Sequence, residues 1–311
     1  MSDAKIAISK ISVDGRSLRD ILKLHKAWLE GDGGERANIR AGTLADADLR
    51  KADFRQAILT GIAFLDADLS YADFGEAELH KCDFRNAMMA HTDFARASLD
   101  QINFQHSQLP ESNFSEARME DLLFRDANMR DCRLYDVQMI SCDFTNANLS
   151  AALLNRAIAS DCCFAEADME KCNLLRARLN SCRFVATKLV DANLASVQAP
   201  DCEFRFAKLN SANLSMANLV QSSFYGAIMT SCDLRESNLS TADFSGAMLL
   251  NSNFRDANIL AADFRGSVLE GARGLTGRQL SKSLTSYSTV LPSGMRGPFI
   301  QGKYSELPLF R

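Results

Sequence analysis

The sequence predicts a four-sided solenoid, on the strength of two nested periods. From Ile39 to Leu269 every fifth residue falls in one unbroken phase, and of these 47 positions only Ala159 and Ala199 lack a large apolar side chain. Above that beat lies a period of twenty. Phenylalanine recurs at Phe64, Phe84, Phe104, Phe124, Phe144, Phe164, Phe184, Phe204, Phe224, Phe244 and Phe264. A column ten residues out of step reads Phe54, Phe74, Phe94, Phe114, then Leu134 through Leu234, then Phe254. A helix would repeat its apolar face at about 3.6 residues and a strand at 2, so neither accounts for a five. A fixed repeat marks stacked identical units, and four fives make one coil whose equivalent residues lie on top of one another.

Within each five the large residue fills the axis, and the residue two places before it is small in most cases: Ala47, Ala52, Ala57, Ala67, Ala72, Ala77 and Cys82. The other three face water. Of the nine cysteines, Cys82, Cys132, Cys142, Cys162, Cys172, Cys182, Cys202 and Cys232 take this small position in place of alanine. Cys142, Cys162, Cys182 and Cys202 would stack in successive layers at a Cα spacing that suits a disulfide, but with parallel side-chain vectors that do not. They are expected to be reduced core thiols. Only Cys163 falls outward, where a thiol reacts if its neighbours expose it.

The fives Ala-Asp-Phe-Arg-Gln (52–56), Ala-Asp-Leu-Ser-Tyr (67–71) and Ala-Asn-Leu-Ser-Met (212–216) resemble those of the pentapeptide repeat family, and the resemblance covers about three quarters of the chain. It implies an all-β solenoid, a right-handed quadrilateral β-helix. Coils separated by a strand spacing of roughly 4.8 Å would number about twelve and make a rod on the order of 55 Å long. Each buried large side chain contributes roughly 1.5–3 kcal/mol, and stacking rather than any single coil supplies the stability.

Three segments follow in order. Residues 1–36 are an N-terminal segment in which Ile6, Ile8, Ile11 and Val13 could form a short edge strand. Ser17 to Glu30 reads as a helix: Ser17 and Asp20 have capping-box spacing, Leu18, Ile21, Leu22 and Leu29 share a face, and Gly31 stops it. An open end layer of a β-helix leaves unpaired backbone and exposed core, so this helix is expected to lid the first coil. His25 and Trp28 are then packing residues rather than a binding pair. The run from His25 to Gly31, followed by Gly33-Gly34-Glu35-Arg36-Ala37, also resembles the lead-in of many bacterial members of the family.

Residues 37–271 are the repeat. Pro110 and Pro200 fall just after a central residue, at a corner where a fixed φ suits a turn. Gly226, Gly246 and Gly266 lie one residue further on in consecutive coils, where a positive φ is expected. Ala159 follows Ala157, which predicts a small void or indentation. Residues 272–311 are the second cap, with Thr276 and Gln279 opening a short helix to about Ser286, then Val290-Leu291-Pro292 and a tail. The repeat carries 22 Lys+Arg against 32 Asp+Glu, net −10, whereas residues 272–311 carry 6 against 1, net +5. An acidic rod ends in a basic tail.

The residues point away from catalysis. His25, His80, His91 and His106 occupy different columns, and neither a Cys-x-x-Cys pair nor a paired-histidine spacing provides a metal site. No phosphate-cradling glycine loop or nucleophile elbow is present. The carboxylates are the Asp of the repeat, satisfied at turns, and alone make no acid/base pair. No cofactor is expected. No apolar run approaches the roughly 18–20 residues of a transmembrane helix, and Met1-Ser2-Asp3-Ala4-Lys5 lacks a signal-peptide core, so the expected setting is a soluble, cytoplasmic one.

Function is therefore sought on the surface. Ile228, Met248 and Val268 stack outward in three successive coils with Leu250 beside them, a patch that needs a cover. The chain after 271 is the first candidate and a second copy, making a homodimer, the next. Asp100, Glu120, Asp121, Asp161 and Asp201 form a partial acidic stripe, interrupted by Ile140, Ser160, Ser181 and Pro200. The favoured reading is a non-enzymatic protein-interaction scaffold whose partner the sequence does not name. The alternative comes from the resemblance: members of the family bind DNA gyrase by imitating duplex DNA and protect against quinolones or toxins. Neither reading involves direct nucleic-acid binding.

Overall fold

Backbone hydrogen bonds run at twenty-residue steps, as a coil of four fives requires. A central residue donates its N–H to the next coil, as Phe54 N to Asp73 O at 2.7 Å, and the residue before it donates to the previous coil, as Asp73 N to Ala52 O at 3.0 Å. The structure, a computed structural model, describes residues 5–13 and 15–299. The chain divides into two units, Met1–Leu153 and Leu154–Arg311, and each is an all-β, four-sided solenoid with these ladders.

In the first unit β4 (Asn38–Thr43) pairs with β6 (Ile58–Ala63), and the ladder continues through β7 (Glu78–His80), β8 (Ser98–Asp100) and β9 (Arg118–Glu120) to β10 (Gln138–Ile140), always parallel. In the second, β11 (Ile158–Ser160) pairs with β12 (Arg178–Asn180). Other faces hold single parallel bridges, such as Asp53↔Asp73 and Asn193↔Asn213. Regular strand thus covers fewer coils than the twelve expected, because on most faces a corner intervenes after one paired residue.

The corners demand more than the glycines suggest. Gly226 has φ 64, but so do residues of every kind at the same place in other fives, among them Asp66 at φ 54, Arg96 at φ 58 and Thr241 at φ 58. Left-handed backbone disfavours residues with a Cβ, so the ladders that fix each corner on both sides must outweigh that cost. Pro110 and Pro200 sit one residue earlier, where a neighbour's N–H turns to a side chain instead of the ladder, as Arg50 N does to Asp48 Oδ1 at 3.3 Å. Proline there forfeits no ladder bond.

Inside, the aromatic columns stack as the period predicts. Phe84 lies 4.5 Å from Phe64 and 5.0 Å from Phe104, nearly parallel to both, and edge-on to Phe74 and Phe94. Cys142 in the first unit and Cys162, Cys182 and Cys202 in the second are buried. They do more than replace alanine. Several thiols and hydroxyls at the small position donate to the central carbonyl of the preceding coil, as Cys132 Sγ to Leu109 O at 3.0 Å, Cys232 Sγ to Leu209 O at 2.8 Å and Ser222 Oγ to Ala199 O at 2.6 Å, whereas Ser107, Ser237 and Ser267 donate within their own coil. Ala159 is fully buried and its carbonyl accepts from Cys182 Sγ at 3.6 Å.

At the N-terminal end β1 (Ile6–Ala7) pairs in parallel with β5 (Ala47–Asp48), Ile8–Lys10 makes a 3-10 turn, and β2 (Ser12–Val13) pairs antiparallel with β3 (Arg16–Ser17). The helix α1 spans Leu18–Glu30. The expected capping box is absent: Ser17 makes no side-chain cap bond, because its backbone belongs to β3. Gly31 ends the helix at φ 77, with Gly31 N bonded to Trp28 O and Asp32 N to Ala27 O, the left-handed termination that glycine makes easy.

His25 pins α1 to the first unit. Its ring is completely buried; Nδ1 accepts from Ala37 N at 3.0 Å, and Nε2 lies 2.9 Å from Arg55 O, to which it donates. Burial holds its pKa below the ordinary 6.5, so the neutral tautomer with the proton on Nε2 is favoured. Trp28 stacks on it at 5.7 Å.

At the other end Thr276 and Gln279 do form a reciprocal capping box. The helix α2 is only Gly277–Leu280, however, and stops well short of Ser286. The ladder does not end at 271: Asp263 bridges to Leu284 and Val268 to Val290. The tail from 300 onward lies outside the described residues. Among the described residues, no helix is long and apolar enough to cross a membrane.

Candidate interaction surface

Several charged side chains of the repeat are engaged at its corners. The Asp before a central residue accepts from the N–H two places on and grips the Arg there: Asp48 with Arg50, Asp53 with Arg55, Asp83 with Arg85, Asp233 with Arg235, Asp263 with Arg265, at 2.5–2.7 Å. The hydrogen bond from Arg235 draws the pKa of Asp233 below its ordinary value, and Arg50 does the same to Asp48. These are local turn devices with their charge cancelled.

The sequence-predicted acidic residues come together only in part. In the first unit His80, Asp100 and Glu120 follow one another in ladder register, with Asp121 next to Glu120. His80 Nδ1 lies 2.5 Å from Asp100 Oδ2, Arg118 shares the three-residue strand of Glu120, and the exposed Ile140 pairs with Glu120 on the next coil. Asp161 and Asp201 belong to the second unit, forty residues apart with Ser181 between them. Ile140 ends the run after Glu120, and Ser181 separates Asp161 from Asp201.

The apolar column is continuous by contrast. In the second unit Ile228 bridges to Met248 and Met248 to Val268, and Val290 extends the same column. The C-terminal segment through 299 therefore lengthens the patch along the ladder. Met248 is 40% exposed, and Ile228, Leu250 and Val268 are partly exposed.

Periodicity alone missed the aromatic rim of this patch. Two residues before Ile228 in the same coil is Gly226, and the ring of Phe206 lies on it; a Cβ at 226 would stand 2.8 Å from Phe206 Cδ1 and Cε1. Phe206 packs edge-on to Tyr225 at 5.3 Å, and the Arg205 guanidinium lies over both rings, 5.9 and 5.6 Å from their centroids. Phe206 is 50% and Tyr225 42% exposed. The legible signal was the corner column Ala186, Phe206, Gly226, Gly246, Gly266, where one aromatic precedes three glycines. Ring, guanidinium and methyl groups at adjoining outward positions make an amphipathic surface suited to a protein contact.

Reactive groups are scarce elsewhere. Burial pushes the Cys132 and Cys232 thiols up to about 12 and Cys82 to about 11, which suppresses the reactive thiolate. Hydrogen bonds with Cys162 and then Cys202 draw the Cys182 thiol down, and the bond with Cys182 drives the Cys202 thiol up. Cys163 is half-buried on the outer face. His91 and His106 each face a carboxylate one coil on, Glu111 at 3.5 Å and Asp126 at 3.8 Å. Among the described residues, no group of three His, Cys, Asp or Glu could hold a metal ion.

The sequence matches the family models described as pentapeptide repeat region, over 77–139 and 197–273, and as pentapeptide repeats (8 copies), over 47–86, 132–170 and 160–195. No curated protein matches the chain. Among solved structures it is similar to HetL, a pentapeptide repeat protein involved in heterocyst differentiation regulation from the cyanobacterium Nostoc sp., at 20% identity over 87% of this chain and 96% of that one, TM-score 0.32. It is also similar to trypsin-treated QnrB1, a plasmid-mediated fluoroquinolone resistance protein, at 18% identity over 57% and 92%, TM-score 0.31. PfbA, a surface adhesin of Streptococcus pneumoniae, is similar at 8% identity over 92% and 91%, TM-score 0.43.

Proposed function

This chain belongs to the pentapeptide repeat family, and from that premise we propose that it is a non-enzymatic scaffold whose protein partner docks on the second unit. One observation carries the reading: Ile228, Met248 and Val268 form one bridged outward column, with Leu250 two residues after Met248 and the exposed, mutually packed Phe206 and Tyr225 around the corner at Gly226. Contiguous apolar surface of this kind on a protein marks a contact, and aromatic, Met and Arg side chains are those enriched in interface cores. Buried thiols such as Cys132, Cys172 and Cys232 fit a reducing compartment, and we place the protein in the cytoplasm on that ground.

Tyr225→Asp and Met248→Asp change only outward side chains and should leave the melting temperature within a few degrees of wild type. Each is expected to weaken capture of the partner by about 2 kcal/mol, roughly 30-fold. If the partner is a second copy, sedimentation of the wild type shows a dimer that both variants lose. Undiminished capture by both would contradict the reading.

A second reading, a DNA mimic that binds DNA gyrase, draws on the net −10 of the repeat. It needs a continuous negative face, and the Asp–Arg corner pairs and the broken stripe weigh against one. Gyrase supercoiling is therefore expected to be unchanged by micromolar amounts of the purified chain; inhibition, or protection from a quinolone, would favour mimicry over the docking surface.

A further inference from the structure

The first unit carries a second feature, unrelated to the apolar surface. The turn Ile8–Lys10, the first turn of α1 and two coil corners enclose an open cleft of about 740 Å³, lined by Ser9, Arg19, Asp48, Arg50, Lys51 and Tyr71 among others. That volume lies within the range of small-molecule sites. Three cations meet one carboxylate here, within a repeat whose net charge is −10. The carboxylate is already committed: Asp48 takes Arg50 in a fork, with Nε at 2.8 Å and Nη2 at 2.6 Å. Arg50 Nε also lies 3.7 Å from Asp68. Arg19 and Lys51 are exposed and form no ion pair among the described residues.

Tyr71 supplies the other half of the argument. One face of its ring stacks on His91 at 4.7 Å and 16°, and the ring is on the outside, with the residue 56% exposed. Lys51 and Tyr71 line the cleft and His91 does not, so the face of Tyr71 away from His91 opens into it. A flat ring can stack on that face while an anionic group reaches Arg19 and Lys51. The surrounding acidic repeat disfavours a long polyanion, which leaves a small ligand.

We propose that this cleft binds a nucleoside phosphate, with the base on the open face of Tyr71 and the phosphate between Arg19 and Lys51. Ser9 offers a hydroxyl at the rim.

Isothermal titration of the full chain with ADP, adenosine and pyrophosphate tests the two halves together. ADP is expected to bind saturably, and adenosine and pyrophosphate each at least tenfold more weakly. Arg19→Glu alters an exposed helix position, and Tyr71→Asn suits the φ of 62 at that corner; each should weaken ADP at least tenfold while Trp28 fluorescence and far-UV dichroism stay as in wild type. Saturation-transfer NMR on the unaltered chain should show the base protons of ADP in contact with protein. Absence of saturable ADP binding, pyrophosphate binding as tight as ADP, or ADP binding unchanged in both variants would overturn the proposal. None of these results bears on the docking surface of the second unit.

Discussion

Phe84→Ala is expected to cost about 3–5 kcal/mol, the range for truncating a fully buried phenylalanine. The residue is inaccessible to solvent and touches four other rings: Phe64 and Phe104 stacked above and below, Phe74 and Phe94 edge-on. Neighbouring rings are held by their own ladders and cannot close the void, so the loss should approach the upper part of that range. Because a solenoid couples only adjacent coils strongly, the damage should be local. Hydrogen exchange would show amides near residues 64–104 opening first, whereas those beyond residue 204 keep their protection. Arg85→Ala, one residue away on the surface with its charge paired to Asp83, should leave the denaturation midpoint nearly unchanged. Equal effects of the two substitutions would refute a stability centred on the stacked axis.

His25→Leu should destabilise the N-terminal cap by about 2–5 kcal/mol. Leucine fills the space but strands the Ala37 N–H and the Arg55 carbonyl that His25 now satisfies, and each buried unpaired group costs roughly 1–3 kcal/mol. The effect has a pH signature. A folded-state pKa below the ordinary 6.5 means that the unfolded chain binds the proton more readily, so the contribution is complete above about pH 6.5 and is lost as pH falls through the lowered value. Protonation of Nδ1 removes the acceptor that holds Ala37. Trp28, the single tryptophan, stacks on this ring, so its fluorescence reports the cap directly. Wild type should show a red shift on acidification that precedes any loss of far-UV signal from the coils. His25→Leu should unfold at the cap in less denaturant and lose the pH step. A cap whose stability does not vary between pH 7 and pH 5 would contradict this account of His25.

How much of this was legible in the sequence depends on the range of the interaction. The core was fully legible, because burial of Leu59, Phe64, Leu69 and the other residues in phase with Ile39 follows from the five alone, and the Phe stacks follow from the twenty. The helix α1 was legible from its apolar face and Gly31, but its cap was not: Ser17 was drawn into pairing with Ser12, a tertiary contact that overrides the local capping signal. The second cap was misjudged for a related reason. Backbone groups after Gly271 gain more by joining the ladder, as Val290 does with Val268, than by extending a short helix whose nucleus is costly.

The surface was half legible. Ile228, Met248 and Val268 share one outward column and could be read directly. Phe206 and Tyr225 lie nineteen residues apart in different columns, and their contact arises only because a coil returns the chain over Gly226, whose missing Cβ admits the ring. The corner backbone was underestimated in the same way: positive φ at Thr241 or Arg96 is imposed by ladders on both sides and leaves no mark on residue choice.

The central claim is that function resides where the second unit departs from its repeat. Site-specific photo-crosslinking in the native host tests it most directly, with a photoreactive residue placed at Met248 and, in a separate variant, at the outward Asn238 on another face. The docking surface predicts a discrete adduct from position 248, of the partner's mass or of twice the chain's own, abolished by Tyr225→Asp and absent from position 238. Equal adducts from both positions, or an adduct from 238 alone, would contradict it.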